Sequence, residues 1–137
     1  MDKREIILGH NSNPINKNIP ESNDYIKVNT NNENCVDNFN IYILFDNDNI
    51  KDICFEGEGC AISTSSTSIM IKNLIGKTTT EALNYIDNFE NMLEGNPFDK
   101  ELLQEAIVYE DINKQQNRVI CASLPYRGIK EILKTRK

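Results

Sequence analysis

Apolar and polar positions divide this chain into a strand-like first part and a helix-like second part. Residues 24–28 alternate between polar and apolar, and 39–45 are rich in β-branched and aromatic side chains. The polar run 46–49 then leads, as a turn, into a further strand-like stretch at 50–55. These stretches predict three antiparallel strands joined in chain order.

After Cys60 the apolar positions recur at helical spacing. The hydroxyl-rich stretch 63–68 predicts the start of a first helix, with its side chains as N-capping oxygens, and Gly76 predicts its end. A second helix is predicted from Thr78, because Thr78 and Glu81 have the spacing of a capping box.

Two more helices are predicted in the last third of the chain. One follows Pro97, with its apolar stripe between Leu102 and Ile107, and the last begins at about Cys121, with Pro125 near its beginning, where proline is tolerated best. Strands followed by helices predict an α+β fold, a small antiparallel three-stranded sheet with helices packed on one face.

Length and charge narrow the class of protein. A chain of 137 residues fits a single domain over 1–137. Its net charge of −6 disfavours binding to nucleic acid or to an anionic membrane surface. The longest apolar run, residues 41–45, is far short of the ~20 residues that span a bilayer. We therefore expect a cytoplasmic protein with no nucleic-acid and no membrane partner.

The four cysteines are the main chemical signal. Disulfides need an oxidising compartment, and the chain begins Met1-Asp2-Lys3-Arg4 with no apolar leader, so we expect reduced thiols. Three thiols and one carboxylate would form a tetrahedral metal site. Spacing alone is a weak zinc signal, because no CxxC pair occurs and each ligand comes from a different part of the chain.

The residues around three of the cysteines favour a role as metal ligands. Cys60 lies between a glycine-rich strand end and a helix start, where free backbone N–H groups favour a thiolate, although free cysteine is often only a small buried residue. Cys35 and Asp37 are two residues apart in a polar loop and can face one ion, although Asp37 can also be a turn residue. Cys121 follows Arg118 by three residues, and that arginine is either a partner for an anion or an exposed residue without one.

Cys54 and His10 are expected to have structural roles. Cys54 alternates with Ile50 and Asp52 along a strand and lacks a glycine or helix-start context. His10 is the only histidine, so no His-based catalytic triad or His-rich metal site can be assembled. We expect His10 to pack against other side chains or to cap a helix.

Several of these segments, taken in order, resemble the SufU/IscU family of iron–sulfur cluster assembly proteins, which is related to the N-terminal domain of NifU. The segments that carry the resemblance are 10–16, Asn34-Cys35-Val36-Asp37, Gly57-Glu58-Gly59-Cys60-Ala61-Ile62-Ser63, Gly76-Lys77 and 118–121. Val36 stands where the family usually has glycine.

Two features favour the SufU branch of that family. Ile120, and not a histidine, directly precedes Cys121. The long segment 61–120 separates Cys60 from Cys121. The resemblance implies a zinc-dependent sulfur acceptor and transfer protein, sulfurtransferase-like but not an autonomous enzyme. It implies a SufS-type cysteine desulfurase and a downstream iron–sulfur scaffold as partners. It also implies that Cys35, Asp37, Cys60 and Cys121 bind Zn²⁺ and that Cys35 accepts sulfur.

Two alternatives remain open at this point. The same ligands suit a [2Fe–2S] cluster, in which case the protein would be a scaffold that assembles the cluster and hands it on. Zinc could also have a purely structural role and stabilise the fold, with the function on another surface. Among the four ligands we expect Asp37 to be the most exchangeable, since it is the hardest donor, so that Asp37→Ala would reduce function more than folding.

Overall fold

A computed structural model describes residues 2–32 and 36–136 of the chain. Within them the sheet has three antiparallel strands in the order β1-β2-β3, which confirms the predicted topology. The strands are β1, Ile26–Asn31; β2, Asn38–Asp46; and β3, Asn49–Glu58. Ile41 at the middle of β2 pairs with Val28 on one side and Phe55 on the other.

Five α-helices accompany the sheet in the described residues. They are α1, Lys3–Ser12; α2, Ala61–Leu74; α3, Thr79–Glu94; α4, Lys100–Leu103; and α5, Gln116–Thr135. The predicted capping box of Thr78 and Glu81 is present at the start of α3, and Gly95 ends that helix in a left-handed conformation. The sequence pattern did not lead us to predict α1, which Asp2 caps by accepting a hydrogen bond from the amide of Glu5.

The helices cover one face of the sheet. On β2 the side chains of Phe39, Ile41 and Ile43 are fully buried, whereas the alternate residues Asn40 and Tyr42 are half-buried. Helices α2 and α5 pack against the buried face. The α+β class with a small three-stranded sheet is therefore confirmed. Within the part of the chain that the structure describes, no helix is long and apolar enough to cross a membrane.

The prediction that residues 63–68 cap α2 is wrong. Helix α2 begins at Ala61, its N-cap is Cys60, and all six hydroxyl residues are buried inside the helix. They are tolerated there because hydrogen-bond partners surround them. Five of the six bond as follows: Ser63 to Asp37, Ser65 to Tyr109, Ser66 to the carbonyl of Ala122, Thr67 to the carbonyl of Ser63, and Ser68 to His10.

The two C-terminal helices also differ from the prediction. After one turn, α4 gives way to a 3₁₀ helix at Gln104–Tyr109, because Gln104 takes a φ of +53° that an α-helix cannot continue through. Helix α5 begins at Gln116, so Cys121 is its sixth residue and Pro125 its tenth. Pro125 therefore lies in the helix interior, where it has no N–H to donate to the carbonyl of Cys121.

Candidate metal centre

Three of the predicted ligands come together at one end of the sheet. Asn38 of β2 pairs with Glu58 of β3, so Asp37, just before β2, and Cys60, just after β3, reach the same place. Cys121 of α5 completes the group. One ligand atom from each of Asp37, Cys60 and Cys121 lies within 4.8 Å of the others.

Cys60 is held by a tight strand-to-helix connection. Its thiol is the N-cap group of α2 and accepts a hydrogen bond from the amide of Ser63 at 3.4 Å. Gly59 permits this connection, since a Cβ there would lie 2.4 Å from Cζ of Phe39 and 2.4 Å from Oγ of Ser63. The predicted position of Cys60 at a helix start is therefore observed.

Asp37 is almost completely buried, with 1% of its surface exposed. Its Oδ1 accepts hydrogen bonds from the amide of Cys60 and from Oγ of Ser63, both at 2.8 Å, and its Oδ2 lies 4.0 Å from Sγ of Cys60. Burial acts to raise the pKa of the carboxyl, but the hydrogen bonds from Cys60, Ser63 and Cys121 outweigh it, and the pKa is lowered. The carboxylate is anchored through Oδ1.

Cys121 is also buried, and its environment disfavours the thiolate. Burial is the largest cause that raises its pKa, followed by hydrogen bonds with Asp37 and Cys60. The expectation that Cys121 sits near a helix start is wrong, because α5 begins five residues earlier. Arg118, in the first turn of α5, is exposed.

A cavity of about 820 Å³ opens at the two thiols. Cys60 and Cys121 lie on its wall, and α1 and α5 contribute further lining residues, among them Leu8 and Arg118. A metal ion or a partner's side chain can therefore approach the thiols through this cavity.

The donor set and its dimensions fit zinc. Zn–S bonds of about 2.3 Å and Zn–O bonds of about 2.0–2.2 Å place two ligands of a tetrahedral ion roughly 3.5–3.8 Å apart. The distances between the three atoms in the cluster would need to shorten by at most about 1.3 Å. The fourth predicted ligand, Cys35, lies outside the described residues. It is two residues from Asp37 in the sequence.

Zinc uptake is expected to release protons and to weaken as the pH falls. The raised pKa of Cys121 means that its thiol is protonated at neutral pH in the metal-free protein, and a zinc ligand must be the thiolate. Calorimetric titration with zinc in buffers of different ionisation enthalpy measures the protons released. Equal apparent affinity at about pH 6 and about pH 8 would contradict this expectation.

The two residues predicted to be structural lie elsewhere. Cys54 is 2% exposed and pairs across the sheet with Tyr42. Burial, followed by the charges of Asp52 and Glu56, raises its pKa to about 11. Nδ1 of His10 lies 2.7 Å from Oγ of Ser68, so the histidine joins α1 to α2.

The role of Ser63 is not predicted by the sequence pattern, which indicates only one of several capping hydroxyls. Its hydroxyl bonds to Asp37, 26 positions earlier in the chain. A local signal existed, because Ser63 is the third residue after the N-cap, where a capping box places the side chain that returns to the cap.

Comparisons with known proteins identify the family of this chain. The profile of the NifU-like N-terminal domain matches residues 2–122. A Streptococcus pyogenes serotype M1 protein named iron–sulfur cluster assembly scaffold protein IscU is 41% identical over 109 residues, which are 78% of this chain and 68% of that protein. A Bacillus subtilis strain 168 protein named zinc-dependent sulfurtransferase SufU is 33% identical over 129 residues, which are 93% of this chain and 86% of that protein.

A solved structure of the same fold supports this family assignment. The crystal structure of a candidate iron–sulfur cluster assembly scaffold protein for the SUF system, from Fervidobacterium islandicum AW-1, superposes with a TM-score of 0.85 at 37% identity. The superposition covers 94% of each chain. The resemblance noted in the sequence is thus confirmed, and the chain belongs to the family of the NifU-like N-terminal domain, which includes the iron–sulfur cluster assembly proteins named SufU and IscU.

Proposed function

We propose that this protein is a zinc-dependent sulfur acceptor and transfer protein that works with a SufS-type cysteine desulfurase. The observation that carries the proposal is the cluster of Asp37, Cys60 and Cys121 beside an open cavity. Its two sulfurs and one oxygen suit zinc, and a third thiol, that of Cys35, is two residues from Asp37 in the sequence. A relative that matches 93% of the chain is named a zinc-dependent sulfurtransferase.

We assign Asp37, Cys60 and Cys121 as ligands that stay in place and Cys35 as both ligand and sulfur acceptor. For Asp37 this differs from the expectation that it is the most exchangeable ligand, because two hydrogen bonds hold its Oδ1. Asp37 and Cys60 are fixed by hydrogen bonds, and Cys121 is part of a helix. In the transfer step the thiolate of Cys35 attacks the outer sulfur of a persulfide on the desulfurase. A new S–S bond forms on Cys35, the desulfurase thiolate leaves, and no external oxidant is needed. Bound zinc is redox-inert and would protect the thiolates from oxidation.

A second candidate function is a scaffold for a [2Fe–2S] cluster. Thiolates suit iron–sulfur clusters as well as zinc, and a relative that is 41% identical is named a scaffold protein. In the sulfur-transfer proposal, by contrast, the sulfur accepted here passes to a separate downstream scaffold. Protein purified without oxygen distinguishes the two, because a colourless zinc protein supports transfer and a brown protein with iron and sulfide supports the scaffold.

The test of the proposal is metal content together with stimulation of the desulfurase. We expect one zinc per chain and faster cysteine desulfuration when the protein is present. Cys60→Ser and Cys121→Ser should lose zinc and stimulation together and should melt at a lower temperature, because metal binding contributes to folding free energy.

Cys54→Ser is the matched control, since Cys54 is a buried thiol outside the ligand cluster. It should retain full zinc occupancy even if it melts somewhat earlier. Full occupancy in both Cys60→Ser and Cys121→Ser would rule out the metal assignment.

A further inference from the structure

The carboxylate of Asp37 is held by a side chain that is not itself a candidate ligand. Ser63, in the first turn of α2, has no exposed surface. Its Oγ lies 2.8 Å from Oδ1 of Asp37, and its amide donates to Sγ of Cys60 at 3.4 Å. Ser63 thus contacts two of the three clustered ligands, one through its side chain and one through its backbone.

The hydroxyl proton of Ser63 has one preferred acceptor. Its Oγ lies 3.2 Å from the carbonyl oxygen of Cys60, an alternative acceptor, and itself accepts from Sγ of the same residue at 3.5 Å. The bond to Asp37 is shorter and its acceptor is charged, so it is the strongest of the three. The single proton therefore goes to Oδ1 of Asp37.

The two oxygens of Asp37 are consequently not equivalent. Oδ1 accepts from both the hydroxyl of Ser63 and the amide of Cys60. Oδ2 is the oxygen near Sγ of Cys60. A carboxylate with one oxygen occupied in this way presents the other to a metal ion.

We propose that Ser63 is a positioning residue that makes Asp37 a one-oxygen ligand of the bound metal. The inference rests on the proposed metal site and adds a determinant of its coordination number. A carboxylate free to rotate can bind through both oxygens, which turns a four-coordinate site into a five-coordinate one. Zinc sites of this donor type are four-coordinate and tetrahedral, and loss of a side chain that orients a ligand lowers metal affinity by about 10–100-fold.

The test compares Ser63→Ala with Ser65→Ala. Ser65 is equally buried in the same helix and also bonds to a distant side chain, that of Tyr109, but contacts none of the clustered ligands. Each variant loses one buried hydroxyl. Zinc affinity is measured by chelator competition, and geometry by the visible d–d absorption of Co²⁺ bound in place of zinc, which is intense in tetrahedral sites and weaker in five-coordinate ones.

We expect Ser63→Ala to bind zinc about 10–100-fold more weakly and to show weakened Co²⁺ absorption. Ser65→Ala should match the wild type in both measurements. Equal affinity in the two variants, or a loss of affinity in Ser63→Ala with unchanged Co²⁺ absorption, would overturn the inference. A wild-type protein that binds no zinc would overturn the proposed metal site and this inference with it.

A measurement on the wild-type protein keeps the inference testable if Ser63→Ala does not fold. X-ray absorption at the zinc edge of the zinc-loaded protein should show a four-coordinate ion with one oxygen ligand. A five-coordinate ion with two oxygen ligands would show that Ser63 does not restrict Asp37, whatever the behaviour of the variant.

Discussion

A Cys35→Ser variant incubated with a cysteine desulfurase and cysteine is expected to acquire no sulfur, whereas the wild type gains the mass of one sulfur atom on the peptide containing Cys35. The other thiols are poorer acceptors. Cys54 is buried, and burial raises its pKa to about 11, so few thiolates form at neutral pH. Cys121 is also buried, and in the proposed site it stays bound to the metal. Cys60 is fixed as the N-cap of α2.

Peptide mass spectrometry after alkylation locates the added sulfur. We expect desulfurase stimulation by Cys35→Ser to fall to background, with Cys54→Ser as the control that keeps wild-type transfer. Persulfide on Cys60 or Cys121 with Cys35 unmodified, or full transfer by Cys35→Ser, would refute the assignment and favour the scaffold function.

The second large effect is expected on stability. Asp37→Ala should lower the free energy of unfolding of the metal-free protein by about 2–5 kcal/mol, because it leaves the amide of Cys60 and the buried hydroxyl of Ser63 without their carboxylate partner. Asp37→Asn keeps an acceptor oxygen, so its loss should be smaller. The geometry thus argues for a larger cost to folding than the sequence led us to expect for Asp37.

Urea denaturation of the chelator-treated proteins measures these differences. Asp46→Ala is the matched control, because Asp46 is an exposed aspartate at the last position of β2, the strand that Asp37 precedes. Its loss should change stability by no more than about 0.5 kcal/mol. If Asp37→Ala were no more destabilising than Asp46→Ala, the two hydrogen bonds would make no net contribution to the free energy of unfolding.

Local patterns were sufficient for most of the fold. The strands and the capping box at Thr78 depend on neighbouring residues, and the hairpin between β2 and β3 fixes the register that places Asp37 near Cys60. The position of Cys121 was not predictable in this way, because it depends on how α5 docks. Its local context and the resemblance placed it in the predicted ligand set, and the structure supplies the geometry.

Local rules gave the wrong prediction for the interior of α2, and the reason is physical. A run of six serines and threonines reads as a polar boundary, and nothing nearby in the chain shows that it is buried. The partners that make burial possible are distant, such as Tyr109 and the carbonyl of Ala122. Burial of a polar helix is a property of the assembled fold, and single-sequence periodicity does not contain it.

The buried hydroxyls of α2 also affect how the protein unfolds. Ser63, Ser65, Ser66 and Ser68 each bond to a different segment: the loop before β2, the 3₁₀ helix, α5 and α1. Detaching any one segment would leave a buried polar group without a partner in the middle of the molecule. Partly unfolded forms that retain α2 are therefore penalised, which couples the segments into one cooperative unit, with the candidate metal centre at the end of the helix that joins them.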